Sequence, residues 1–184
     1  IPRPVHPAGA ARLAMEAYAG AFAARGLEVA TLVLGTVYGP RQDPQGEAGV
    51  VAIFCGNLAS GKTSTINGGG EQTRDYVYVK DVARANVLAL ENDVPPGAYN
   101  IGTGVETSVN RLYDLLLEIS GKDLPPQHGP SKPGEQLRSS VDPGLAGRTF
   151  YWQAQTGIHT GLEETLHSFA TPIRSEHYSN QSTG

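Results

Sequence analysis

Apolar positions along the chain switch repeatedly between helical and strand-like spacing. Residues 8–25 are rich in alanine, put Met15, Tyr18 and Phe22 on one helical face and stop at Gly26. The small residues predict a helix that packs closely. Residues 28–34 are short, β-branched and closed by Gly35, which predicts a buried strand in a parallel sheet. Residues 38–44 read as loop. A helix is predicted over about 48–59, although the run from Val50 to Phe54 also suits a strand. Residues 63–67 predict a short strand, followed by a hairpin-type turn at Gly68, Gly69 and Gly70. Residues 76–79 alternate as a strand does and lead into a helix over 80–91. After Pro95 and Pro96, residues 98–102 form a compact strand. Thr107 or Ser108 then caps a helix with Val109, Leu112, Leu116 and Ile119 on its apolar face and Gly121 at its end. A last helix is predicted over 162–169. Strands alternating with helices indicate an α/β protein, with only two or three strands suited to a large sheet.

Composition narrows the class. Fourteen basic residues against 18 acidic give a net charge of −4, with no long run of either sign. That argues against a nucleic-acid-binding or polybasic membrane surface, and no apolar stretch reaches bilayer length. Cys55 stands alone, so no disulfide within the chain and no thiolate metal site is expected, and a cytoplasmic setting is the natural expectation. The five histidines are scattered without metal-ligand spacing. The chain starts at Ile1 instead of Met, so a fragment, processed product or trimmed chain is expected, and residues 173–184 read as a polar, disordered tail.

Several patterns carry candidate chemistry. Gly56-Asn57-Leu58-Ala59-Ser60-Gly61-Lys62-Thr63 matches the spelling of a phosphate-binding P-loop. Such a loop needs a helix after it, whereas Thr63 to Ile66 are poor helix formers with three glycines close behind. A helix ending at Gly61 before an exposed Lys62 is the plainer reading, and a P-loop-like nucleotide-binding module stays as one alternative. The carboxylates Glu71, Asp75 and Glu135 allow a glycoside hydrolase-type alternative that uses pocket acids.

Four peptides in fixed order decide between these readings. They are Val37-Tyr38-Gly39-Pro40-Arg41-Gln42, then residues 70–82 (GEQTRDYVYVKDV), then Tyr99-Asn100-Ile101-Gly102-Thr103-Gly104, then Lys132-Pro133-Gly134-Glu135. Together they resemble the extended short-chain dehydrogenase/reductases, and within them the NAD-dependent epimerase/dehydratase group of UDP-glucose 4-epimerase type, over about residues 4–168. The resemblance implies the C-terminal portion of a Rossmann-type parallel sheet plus a small mixed α/β substrate-binding domain. Residues 1–172 would form this partial domain.

The same resemblance assigns positions. The family's catalytic Tyr-x-x-x-Lys pair falls on Ala8 and Arg12, so the family's NAD-dependent isomerase chemistry is expected to be lost. The family cofactor is NAD, and its glycine-rich loop has no counterpart here, so no cofactor is expected to bind this chain alone. On the substrate side the resemblance implies that Arg74 and Lys132 meet a nucleotide diphosphate and that Glu135 meets a ribose hydroxyl. It also puts Val50 and Asn67 at the base pocket and Thr36 near the substrate phosphate. For Arg74 an ion pair with Asp75 or Asp81 is the structural alternative. The expected protein is a truncated relative that retains a nucleotide-sugar cleft. Its partners would be a nucleotide-sugar or carbohydrate ligand and either a second copy of itself or a missing N-terminal half.

Overall fold

The Ala-rich start of the chain folds as helix α1 (Pro7–Ala23), and the β-branched run after it forms β1 (Ala30–Leu34), with Gly26 at φ 91° between them. This computed structural model describes residue 4 and residues 7–45 and 49–170. The tail expected at 173–184 lies outside the described residues. The chain continues through β2 (Thr36–Tyr38), α2 (Val50–Ala59), β3 (Thr65–Asn67), β4 (Thr73–Arg74), β5 (Tyr76–Tyr78) and α3 (Val79–Glu91). Then follow β6 (Gly97–Ile101), β7 (Thr107–Ser108), α4 (Val109–Ser120), β8 (Gln127–Gly129), β9 (Arg138–Ser139), α5 (Gly144–Phe150) and α6 (Ile158–Ala170).

Helix α4 is where the sequence signals are plainest. The Ser108 hydroxyl accepts the Arg111 N–H as an N-cap, Leu112 and Leu116 are fully buried, and Gly121 ends the helix at φ 63°. The run from Val50 to Phe54, ambiguous in the sequence, is helical. It buries Val51, Ala52, Phe54, Cys55 and Leu58 on the sides that α4 and α6 cover.

The sheet is parallel where the chain returns through helices. β1 pairs with β6 from Ala30↔Gly97 to Leu34↔Ile101, and β2 pairs with β5 from Thr36↔Tyr76 to Tyr38↔Tyr78. Gly35 N–H donates to Ile101 O (2.8 Å) and Thr36 N–H to Asp75 O (2.7 Å), which carries the pairing across the junction between the two. A second region holds β3 parallel to β8, and β4 between antiparallel β7 and parallel β9. This is the α/β arrangement expected: a parallel Rossmann-type portion and a smaller mixed portion.

Two expectations need correction. Gly68 (φ 65°) and Gly70 (φ 79°) do form a left-handed turn, but no hairpin, because β3 and β4 on either side of it belong to different sheets. The Asn110 side chain packs where a Gly70 Cβ would stand and donates to Gly69 O (2.8 Å), so the turn is fixed by α4. The P-loop spelling fails geometrically, since helix α2 precedes Gly61 and strand β3 follows it, the reverse of the required order. Gly61 has φ 67°, and Lys62 is exposed.

Two apolar cores result. One gathers α2, α4 and α6 around Tyr38, Tyr76 and Tyr78. The other sets Trp152, Phe150 and Tyr99 beneath β5, β6 and α3. Trp152 Nε1–H donates to Asp81 O (2.9 Å), and the Asp81 carboxylate accepts from Arg84 Nη2 (2.6 Å), Thr156 N (2.9 Å) and Gln155 N (3.2 Å). Burial alone would raise the Asp81 carboxyl. The guanidinium and the N–H donors outweigh it and hold the group below its ordinary value.

Helix α1 differs from the rest. Met15, Tyr18 and Phe22 are 58%, 69% and 50% exposed, so the apolar stripe faces outward, and no described α1 residue is fully buried. Among the described residues, no helix is long and apolar enough to cross a membrane, and no cluster of His, Cys, Asp and Glu could hold a metal ion.

Trp152 is 1% exposed, so Trp152→Ala leaves a large cavity and removes the indole donor from Asp81 O. It is expected to cost about 3–5 kcal/mol, read as a shifted urea midpoint by circular dichroism.

Candidate functional site: a cavity at the edge of the small domain

Strand alternation sets the site. Arg74, Asp75 and Tyr76 are consecutive, and in extended chain alternate side chains face opposite ways. Asp75 turns inward, 2% exposed, and its carboxylate accepts from Thr103 N (2.8 Å), Thr103 Oγ1 (2.6 Å), Gly104 N (3.0 Å) and Val141 N (3.4 Å). Arg74 and Tyr76 are left facing a cavity of about 250 Å³ on the other side.

The cavity collects every position that the resemblance tied to substrate: Thr36, Val50, Asn67, Arg74, Lys132 and Glu135. They come from β2, the start of α2, β3, β4 and the segment after β8, spread over a hundred residues of sequence. Ile53, Phe54, Ile66 and Val109 supply apolar wall, and Thr65, Gln72 and Tyr76 complete the lining. Gln72 Nε2 donates to Asn67 O (3.1 Å) and steadies the rim. Helix α2 begins at the cavity with no side-chain cap, so its first amides and the positive end of its dipole lie beside Val50.

Arg74 is partly spent. Nη1 donates to Thr73 O (2.8 Å) and Gln136 O (2.7 Å), while Nη2 stands 3.7 Å from Glu135 Oε1. The pairing alternatives with Asp75 and Asp81 are thereby replaced, since Asp75 binds backbone donors and Asp81 binds Arg84. Lys132 makes no ion pair among the described residues.

Tyr76 and Gln72 escaped the sequence reading. The signal for Tyr76 was its place two residues after Arg74, which puts both on one side of the strand. Its ring is 97% buried, and its hydroxyl has no hydrogen-bond partner among the described residues. Burial pushes the phenol up to about 12, with Arg74 drawing it down and Glu135 pushing it up by smaller amounts, so at neutral pH it remains a donor.

The candidate acids do not assemble. Glu71 is exposed and accepts from Asn110 Nδ2 (2.9 Å), Asp75 is consumed by backbone donors, and only Glu135 of the three lines the cavity. A paired-carboxylate site needs two acids facing one bond, and this arrangement offers one.

NAD requires a glycine-rich loop joining a strand to a helix N-terminus. The spacing G-x-x-G-x-x-G does not occur in the chain. β5 and β7 run straight into α3 and α4, β9 reaches α5 through residues 140–143 without a glycine, and the connection from β2 to α2 is described only in part. Among the described residues, no strand-to-helix junction carries that loop.

The ordered motifs and the parallel sheet define an α/β protein with a Rossmann-type portion. The chain belongs to the NAD dependent epimerase/dehydratase family, whose sequence model matches residues 1–102. It is 39% identical over 167 residues to a UDP-glucose 4-epimerase of Mycolicibacterium smegmatis, covering 90% of this chain and 53% of that protein. It also resembles the crystal structure of a UDP-glucose 4-epimerase of Thermotoga maritima with UDP-glucose, at TM-score 0.89 and 44% identity, covering 92% of this chain and 55% of that one. A Thermus thermophilus UDP-glucose 4-epimerase in complex with NAD matches at TM-score 0.85 and 37% identity, covering 94% and 56%. The chain thus spans about half the length of the relatives it matches.

Two outcomes follow from the cavity wall. Tyr76→Phe removes an unpartnered buried hydroxyl and is expected to stabilise the fold by about 1 kcal/mol in urea unfolding. The sheet behind Arg74 is braced by Glu106, which accepts from Arg138 Nη2 (2.6 Å) and Nε (3.0 Å) and from Thr73 Oγ1. The Arg138 bonds first, and then Thr73, hold its carboxyl at about 2. A folded-state value below the unfolded one means the stabilisation is full above the ordinary range, roughly pH 4.3, and is lost as pH falls toward 2. Glu106→Gln should therefore flatten the loss of stability across that window in acid titration followed by circular dichroism.

Proposed function

We propose that the cavity takes the nucleoside diphosphate of a nucleotide sugar, of UDP-sugar type, and that this chain supplies recognition without the family's proton transfer. The observation that carries the reading is the convergence of Thr36, Val50, Asn67, Arg74, Lys132 and Glu135 on one cavity. A diphosphate brings two negative charges and several acceptor oxygens. Arg74 keeps the Nη2 and Nε donors of its fork, Lys132 adds a point charge, and the uncapped start of α2 adds amides. Tyr76 adds a neutral donor. Val50, Ile53, Phe54 and Ile66 offer a flat base an apolar seat, and Glu135 offers a ribose hydroxyl an acceptor.

On the chemical side, proton exchange with a sugar oxygen needs an ionisable hydroxyl, and the position implied for the family tyrosine carries Ala8. Arg12 keeps the charge of the lysine it replaces but presents a planar fork instead of a compact ammonium. Epimerisation by this chain alone is therefore outside the proposal, and so is NAD binding by it.

The exposed stripe of α1 and the half-exposed strand β1 ask for cover, which a second copy of this chain or a complementary half of the sheet would give. A cytoplasmic setting goes with this reading. Cys55 is buried, with burial pushing its thiol up to about 12, and needs no oxidised partner.

Calorimetry is the test. UDP and UDP-glucose are expected to bind and NAD is not, and Arg74→Ala should weaken UDP by at least about tenfold through loss of charged hydrogen bonds. Absence of UDP binding to the unaltered chain, or tight NAD binding, overturns the reading.

A further inference from the structure

One edge of β1 is left open. Val29 O accepts from Gly97 N–H (3.1 Å) and Gly35 N–H donates to Ile101 O (2.8 Å), so the odd-numbered residues of this stretch face β6. Backbone groups alternate between the two edges of a strand, which turns the N–H and C=O of Ala30, Leu32 and Leu34 the other way. β6 is the only strand paired with β1 among the described residues, and these groups have no backbone partner there. A groove of about 490 Å³ runs along the open edge. Seven consecutive residues, Thr31 to Val37, line it, as befits an edge and not a face, and Arg12, Met15 and Glu16 of α1 form its other wall. Edge strands are ordinarily defended by lysine, proline or a bulge. Ala30-Thr31-Leu32-Val33-Leu34 is uncharged, has no proline and pairs in unbroken register with β6.

We propose that the open edge of β1 pairs with the same edge of a second copy of this chain, antiparallel and centred on Leu32. The edge is self-complementary. A two-fold axis at Leu32 sets Ala30 opposite Leu34 of the copy and Leu32 opposite its own equivalent, and each such pair exchanges both hydrogen bonds. Every open group of the strand is then satisfied, and β6, β1 and their copies form one continuous sheet. The same two-fold runs the two α1 helices antiparallel, with Arg12 of each directed at Glu16 of the other, so the charges on the groove wall match. Helix α1 can shift to admit the copy, since among the described residues it contributes to neither apolar core. Of the two covers named above for β1, the edge thus selects the second copy. The pairing needs no nucleotide and stands apart from the nucleotide-sugar reading.

Light scattering at micromolar concentration is expected to give the mass of two chains. Leu32→Pro removes an N–H from the open edge and none from the β6 ladder, and should return the mass of one chain. Cross-linking reads the register without relying on the proline variant. Thr31 lies opposite Val33 of the copy at a non-hydrogen-bonded position, with Cα atoms about 4.5 Å apart, within disulfide reach. Thr31→Cys and Val33→Cys chains, mixed and oxidised, should form a disulfide-linked pair. Each alone should link several-fold less, because like residues then stand diagonally, and the native Cys55 is buried. A single-chain mass for the unaltered protein, a folded Leu32→Pro variant that remains paired, or a mixture that links no better than either variant alone overturns the proposal. UDP binding by the same unaltered sample reports on the nucleotide reading separately.

Discussion

The buried Asp75 carboxylate is the pin on which the site turns. It closes the gap between β4 and β5, gathers the amides of Thr103, Gly104 and Val141, and so ties the second sheet region to the end of β6. Close approach is part of the device, because a Cβ on Gly102 would meet the Asp75 carboxylate at 2.5 Å. With that acid locked inward, the pleat obliges its neighbours on either side to look outward. Arg74 and Tyr76 owe their common direction to a residue that never touches the cavity.

Charge in the cavity follows from what the protein leaves unsatisfied. Asp75, Asp81 and Glu106 each have several donors, which suits acids whose task is to hold backbone segments together. Glu135 and the Tyr76 hydroxyl have none among the described residues, and Lys132 has no carboxylate partner there. Buried polar groups are ordinarily paired, and among the described residues the Tyr76 hydroxyl at the cavity and Gln42 Oε1 away from it are the buried side-chain atoms left without a partner.

Much of the architecture could be read in the chain itself, and physical scale explains the rest. α4 was legible because a serine cap, a glycine stop and a 3.6-residue apolar period all agree. β1 and β6 were legible as β-branched or aromatic runs between turn residues. β4, β7 and β9 are two residues long and β2 and β8 three, too short for alternation to register, and their partners lie far off in the sequence, as with β3 and β8. The three glycines suggested a hairpin because local sequence cannot show that α4 is what holds the turn. At the site, ordered motifs located the ionic residues. Tyr76 was passed over because an aromatic in a strand reads as core, and only coordinates reveal a hydroxyl with nothing to bond to.

No residue of α1 or β1 lines the cavity; its earliest contributor is Thr36. The whole wall is thus supplied by one contiguous stretch, residues 36–135, so a graft of that stretch would carry the concavity into a relative without either element that precedes it.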